Sequence, residues 1–161
     1  MKRFLFALAF LIISSVAAGP LLAQDNPFVG TWKLDVAKSK SEPGPVSKSQ
    51  TRTVVSEGEG AKYSFEGVRA DGTPFSYSFT VNYDGKDYPV TGTGMPGGAD
   101  TVAIKRVGTH KAEATLKKGG KEVGKSEAEA SKDGKTTTVS SKGVTPDGKA
   151  YSIYSVYSKV E

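Results

Sequence analysis

Cysteine is absent from this chain, and with it go disulfides, thiolate metal sites and thiol nucleophiles. Histidine occurs once, at His110, so no two-histidine metal site and no histidine-rich zinc cluster can form. No Gly-x-Ser-x-Gly elbow accompanies it, which leaves a Ser-His-Asp hydrolase without an anchor. The glycine-rich stretch "GTGMPGGAD", from Gly92 to Asp100, lacks the Lys-Ser and the strand-to-helix switch of a phosphate cradle and reads as a mobile loop. Glu57, Glu59, Asp84, Asp87 and the acids of "EAEAS" fall in or near turns, with no two set across a cleft for acid–base work. The expectation is a protein that is not an enzyme and holds neither metal nor cofactor.

Helical periodicity is also missing, and the longest apolar run is too short to span a membrane. That run, Phe4 to Val16, follows Lys2 and Arg3 and precedes the small residues of "AAGPLLA". A spanning helix needs about 20 apolar residues, so the layout fits a secretory leader better than a retained anchor. Cleavage is expected after Ala23, with Ala18 as the alternative, giving a leader at 1–23 and one domain at 24–161. A periplasmic or secreted location follows, with no membrane span after cleavage. Loss of Lys2 and Arg3 takes two from the net charge of +5. The remaining lysines are spread through turns such as "KDGK" and "PDGK", which suits solubility rather than a nucleic-acid partner.

What the chain does have is turn chemistry. "ADGTP" at 70–74, "YDGKDYP" at 83–89, "KKGGKE" at 117–122, "SKDGKT" at 131–136 and "TPDGKA" at 145–150 supply the positive-φ residues of tight hairpins. Between them lie short segments rich in Thr, Val, Tyr and Phe. Strands are expected to begin near Val29, Gln50, Ala61, Phe75, Lys86, Asp100, His110, Lys121, Lys135 and Lys149. The clearest places Phe75, Tyr77, Phe79, Val81 and Tyr83 on one face, against Ser76, Ser78, Thr80 and Asn82 on the other. Its neighbour sets Tyr63 and Phe65 on one face, whereas the last segment, "KAYSIYSVYSKV", is bulky on both and implies a bulge or cover on both sides. Residues 64–78 and 140–154 share Ser, Gly, Val, Asp, Gly and Ser at a constant offset, from duplication or from shared hairpin chemistry. A sheet of this length curls and closes, and the short links favour an all-β, single antiparallel up-and-down barrel of about 8–10 strands over a sandwich.

Two end segments carry a resemblance. "FVGTWKL" resembles the first strand of the calycin superfamily, the lipocalins and fatty-acid-binding proteins, whose members carry Gly-x-Trp there. "VYSKVE" resembles the closing strand of the fatty-acid-binding proteins, and the whole is similar to small exported bacterial lipocalin-like domains. The resemblance implies that Gly30 allows close strand passage and that Trp32 plugs one end of the barrel. It also implies a departure: where those proteins insert a helical lid, "DVAKSKSEPGPVSKSQ" carries Pro43, Gly44 and Pro45, so no helical lid is expected. Their closing-strand Arg-x-Tyr, which clamps a carboxylate, is matched here by Ser155 and Tyr157, and half the clamp is missing. Haem ligation through His110 remains one option for such a barrel.

The function expected is binding of a small hydrophobic or amphipathic molecule. Tyr63, Phe65, Phe75, Tyr77, Phe79 and Tyr157 are the candidate lining, and Arg106, which shares a parity with Val102 and Ile104, is the candidate partner for an anion. Arg69 and Arg52 have less to recommend them, and a strand-end Arg106 reaching into water is the plainer alternative. The rival is a barrel filled by its own rings, acting through its outer surface as an envelope interaction or structural module.

Overall fold

At Asp71-Gly72, Gly119-Gly120, Asp133-Gly134 and Asp147-Gly148 the chain reverses between paired strands, while Asp84-Gly85 opens β6 with a bulge just after a reversal. The structure is a computed structural model and describes residues 26–160; the expected leader lies outside the described residues. The strands are β1 (Gly30–Leu34), β2 (Lys40–Glu42), β3 (Ser49–Glu57), β4 (Gly60–Val68), β5 (Pro74–Val81) and β6 (Asp84–Pro89). They continue as β7 (Thr91–Thr93), β8 (Thr101–Gly108), β9 (Lys111–Lys118), β10 (Lys121–Ala130), β11 (Thr136–Val144) and β12 (Ala150–Lys159). The ten anticipated strands are all present. The two additional ones, β2 and β7, have three residues each, too few to show a period.

All pairings are antiparallel, and the sheet runs β6-β8-β9-β10-β11-β12-β1-β3-β4-β5-β7, with β2 also on β12. β1 joins the two ends of the chain by pairing with both β12 and β3. The far margins approach through residues 84–93. The first half of that segment pairs with β8 and the second with β5, the change falling at Val90, whose N–H donates to Asp100 O at 2.8 Å. One nearly closed antiparallel barrel results. Closure removes the edges that a long open sheet would expose.

Between β1 and β3 the chain makes a 3-10 turn (Val36–Lys38), then β2, then an irregular loop; no helix longer than three residues occurs among the described residues. That turn covers part of the outer face of β12. Asp35 N–H donates to Val156 O at 2.8 Å, Val156 N–H donates to Ser39 Oγ at 3.0 Å, and Val156 is buried although it points outward. Of the two expectations for the last strand, cover is found at Val156, while Tyr154 stays exposed; pairing with β11 runs without a bulge.

The stretch from Gly92 to Asp100, expected as a mobile loop, instead contributes to β7 and forms a second 3-10 turn (Pro96–Gly98), with Gly97 buried against Val123. The two similar segments form the β4–β5 and β11–β12 hairpins, and their turns are bonded alike. Arg69 N–H donates to Thr73 O and Gly72 N–H to Arg69 O; Thr145 N–H donates to Lys149 O and Gly148 N–H to Thr145 O. Asp71 and Asp147 brace the two turns from equivalent places. Hairpin chemistry accounts for the identities at the turns.

Packing is densest at one end of the barrel. Phe28, Trp32, Val54, Ala61 and Val81 are at most 1% exposed, and the register sets them at the level where β1 enters the sheet. The Trp32 indole N–H donates to Phe28 O at 2.9 Å, so the ring is buried without stranding its donor. Gly30 has φ 136°, a conformation that suits glycine, and a Cβ there would lie 2.7 Å from Lys159 Cε on the facing strand.

Candidate functional site

The interior is not filled. A cavity of about 700 Å3 runs from the packed end toward the opposite mouth, where residues of the 43–47 and 69–71 loops and Gly94–Pro96 line its entrance. That volume falls inside the range of about 300–1,000 Å3 typical of small-molecule sites. It exists because the two sides of the barrel carry side chains of different size.

One side is built by β4 and β5. Register sets Tyr63 opposite Phe79 and Phe65 opposite Tyr77, and each pair stacks, with ring centroids 5.1 and 4.6 Å apart. Phe75 faces Gly67, over whose missing side chain its ring lies: a Cβ at Gly67 would approach Phe75 Cζ to 2.8 Å. Cross-strand aromatic pairs of this kind contribute about 0.5–1.5 kcal/mol each beyond burial. Across the cavity, β9, β10 and β11 present Ala112, Ala114, Ser126, Ala128, Val139 and Ser141, with Leu116 the one large apolar side chain of these strands in the lining. The hydroxyls of Ser126 and Ser141 lie 2.6 Å apart and satisfy one another.

All six ring candidates, Tyr63, Phe65, Phe75, Tyr77, Phe79 and Tyr157, line the cavity. Arg106 does not. Val102 and Ile104 face the cavity as their parity requires, but Arg106 lies one step further along β8, half-buried, with its guanidinium carbon 4.7 Å from the Tyr83 ring centroid. Tyr83 is placed for this by a left-handed backbone (φ 56°), the one non-glycine case among the described residues. Its hydroxyl is held by Asn26 Nδ2 at 2.8 Å and by Tyr63 Oη at 2.7 Å. His110 sits in the turn between β8 and β9 and is not part of the lining, so the structure offers no support for a haem ligand there.

The cation inside the barrel is Arg52, on β3. It is 2% exposed and lines the floor of the cavity, with its guanidinium carbon 4.8 Å from the Tyr157 ring centroid and 5.4 Å from that of Trp32. Thus Tyr157 does have an arginine beside it, supplied by β3 and not by the Ser155 position of its own strand. Nη2 donates to Thr137 Oγ1 at 2.5 Å, and Nε has no partner. Arg69 lies at the mouth, 5.1 Å from the Phe75 ring centroid. Burial pushes the Tyr63, Tyr77 and Tyr157 phenols upward, so they stay protonated and act only as hydrogen-bonding groups.

No family model matches the chain, and no curated protein matches it. Nine solved chains match its shape. One is the zebrafish ileal bile acid-binding protein complexed with cholic acid, 14% identical, covering 83% of this chain and 99% of its own, with a TM-score of 0.49. Another is Rv2717c from M. tuberculosis, 16% identical, covering 89% and 99%, with a TM-score of 0.52. The fold is calycin-like. At such identities the likeness concerns the fold alone.

Proposed function

We propose that this protein is an exported, non-catalytic binding protein that holds one small hydrophobic or amphipathic molecule inside its barrel. The observation that carries the reading is the 700 Å3 chamber with a stacked aromatic wall on one side and small side chains on the other. A flat or flexible apolar body laid against the Tyr63, Phe65, Phe75, Tyr77 and Phe79 rings displaces water from a surface that hydrates poorly. The mouth loops give it a way in, and the Trp32 end stops it.

The rival reading needs a barrel filled by its own rings, and the rings leave the chamber open. Of the exposed large apolar residues, Val55, Val107, Val144 and Tyr154 sit on four different strands, Val36 in the first 3-10 turn and Val160 just after β12. Isolated apolar residues of this sort are ordinary surface. Export rests on the Lys2, Arg3 and Phe4–Val16 pattern. The non-catalytic reading is supported by the lining: its acids, Asp71 and Glu113, meet the Thr73 N–H and Lys105, and Ser126 and Ser141 bond each other, so neither acid is bonded to a serine.

Titration with N-phenyl-1-naphthylamine, a neutral dye that brightens in apolar surroundings, tests the reading. Saturable binding of one dye per chain is expected. Linear, non-saturating partition, or no signal at all, overturns it.

A further inference from the structure

The chain has two methionines, Met1 and Met95, and Met95 is the only one among the described residues. It stands in the strap between β7 and β8, where residues 94–99 read Gly-Met-Pro-Gly-Gly-Ala. The strap reaches over the mouth to touch β9, β10 and β11. At one end Gly94 meets the aromatic wall, where an added Cβ would lie 2.7 Å from Phe75 Cβ. At the other, Gly97 is buried beside the small-residue strands, its added Cβ 3.0 Å from Val123 Cγ2 and 3.1 Å from Val144 O, and Gly98 faces Pro146 in the β11–β12 turn. Neither end has room for a side chain, so Met95 is the one long side chain of the strap. It lines the cavity and packs against the core, and the Gly98 N–H donating to Met95 O at 3.0 Å fixes the turn behind it. Half-buried at the entrance, it is within reach of a small solute. With no cysteine in the chain, it also holds the only peroxide-reactive sulfur of the described residues.

We propose that Met95 is an oxidation site, and that its conversion to the sulfoxide by a hydroperoxide lowers the affinity of the chamber for an apolar guest. The inference rests on the reading that the cavity holds such a guest, and adds a chemical control on it. The step balances with hydrogen peroxide alone. The sulfur lone pair attacks one peroxide oxygen, the O–O bond breaks, a sulfur–oxygen bond forms, and the second oxygen leaves as water with both protons. Sulfur is oxidised by two electrons and the peroxide is reduced by two. A flexible apolar side chain thereby becomes a polar one with a strong acceptor. A guest between the two walls meets the strap at its outer end and shuts water away from that acceptor, which the glycines and Pro96 beside it have no side-chain donor to satisfy. Trp32, another oxidisable side chain, is wholly buried at the opposite end.

The test treats the protein with dilute hydrogen peroxide, removes the oxidant by desalting, and then titrates with N-phenyl-1-naphthylamine. Peptide mass spectrometry is expected to find one added oxygen on Met95. The oxidised protein keeps its Trp32 emission and its circular dichroism, and it binds the dye about tenfold more weakly, the scale set by shutting one polar group away from water. Met95→Gln, which puts a polar side chain of similar length in the same place, weakens dye binding with no oxidant present. In Met95→Leu, which has no sulfur, the affinities measured before and after peroxide are equal.

Met95 left unoxidised by peroxide that converts free methionine overturns the site. Full oxidation with the dye affinity unchanged overturns the control and leaves the binding chamber standing. An equal loss of affinity in treated Met95→Leu traces the effect to another residue and overturns the proposal, as does an oxidised wild type that has lost its fold. No dye binding before treatment overturns the proposal and the chamber together. Should either variant fail to fold, the mapped oxidation and the paired wild-type titrations decide the matter unaided.

Discussion

The two halves of the barrel are built on different scales. β4 and β5 present Tyr63, Phe65, Phe75, Tyr77 and Phe79, whereas β9, β10 and β11 present, besides Leu116, only Ala112, Ala114, Ser126, Ala128, Val139 and Ser141 to the same interior. If both halves were aromatic, the rings would meet and close the space, as in a packed core. If both were small, there would be little apolar surface for a guest to bury. The chamber is a product of mismatch between its two walls.

The floor sharpens that contrast. Next to Arg52 the packing is tight, with Trp32 wholly buried and Phe28, Val54 and Val81 at most 1% exposed. Trp32→Ala is therefore expected to have the largest effect on the fold, about 3–5 kcal/mol of unfolding free energy, as measured by urea titration. A loss well below 2 kcal/mol would mean that the indole is no plug. Next comes Ala128→Phe, which directs a ring into the void from the small-residue wall. Dye uptake should fall at least about tenfold while stability stays within about 1 kcal/mol, since no packed neighbour is displaced. If that variant unfolds, the small wall is packed and the mismatch is illusory.

Tyr77→Phe makes a gentler cut, removing a hydroxyl from the aromatic wall and leaving its stack on Phe65. Its expected effect on stability is about 1 kcal/mol or less, with neutral-dye affinity unchanged. The smallest effect concerns the outer surface. Asp100 accepts the Gly119 N–H at 3.1–3.2 Å, which holds its carboxyl below the usual carboxylate range. A lowered folded-state pKa stabilises above the unfolded pKa, and the contribution is lost as pH falls through the folded one. The wild type should thus exceed Asp100→Asn slightly at neutral pH, the two converging in acid; a gap that widens on acidification would reverse the assignment.

Much of this was legible in the chain. Turn dipeptides placed the hairpins, alternation placed the β5 rings, and "FVGTWKL" placed the first strand. Parity was enough to send Val102 and Ile104 inward, yet it could not fix depth. Depth along a barrel depends on strand tilt and stagger, which single segments do not encode. Hence Arg106, two residues beyond Ile104, lands over Tyr83 at the rim of the closed end. Arg52 was passed over for the opposite reason. "QTRTVV" alternates Gln50, Arg52 and Val54 plainly enough, but its place under the cavity follows from the Trp32–Arg52 register, a pairing made across the first 3-10 turn, β2 and an irregular loop. Buried arginines are rare enough that parity alone is a weak signal.

The chamber itself can be observed directly by NMR, with alanine methyl groups labelled and N-phenyl-1-naphthylamine added. Contacts from the dye to the Ala114 and Ala128 methyls and to the Phe65 and Tyr77 rings are predicted, placing one molecule between the two walls. Dye contacts confined to Val55, Val107, Val144 or Tyr154 on the outside, with the Ala114 and Ala128 signals unmoved, would contradict the account.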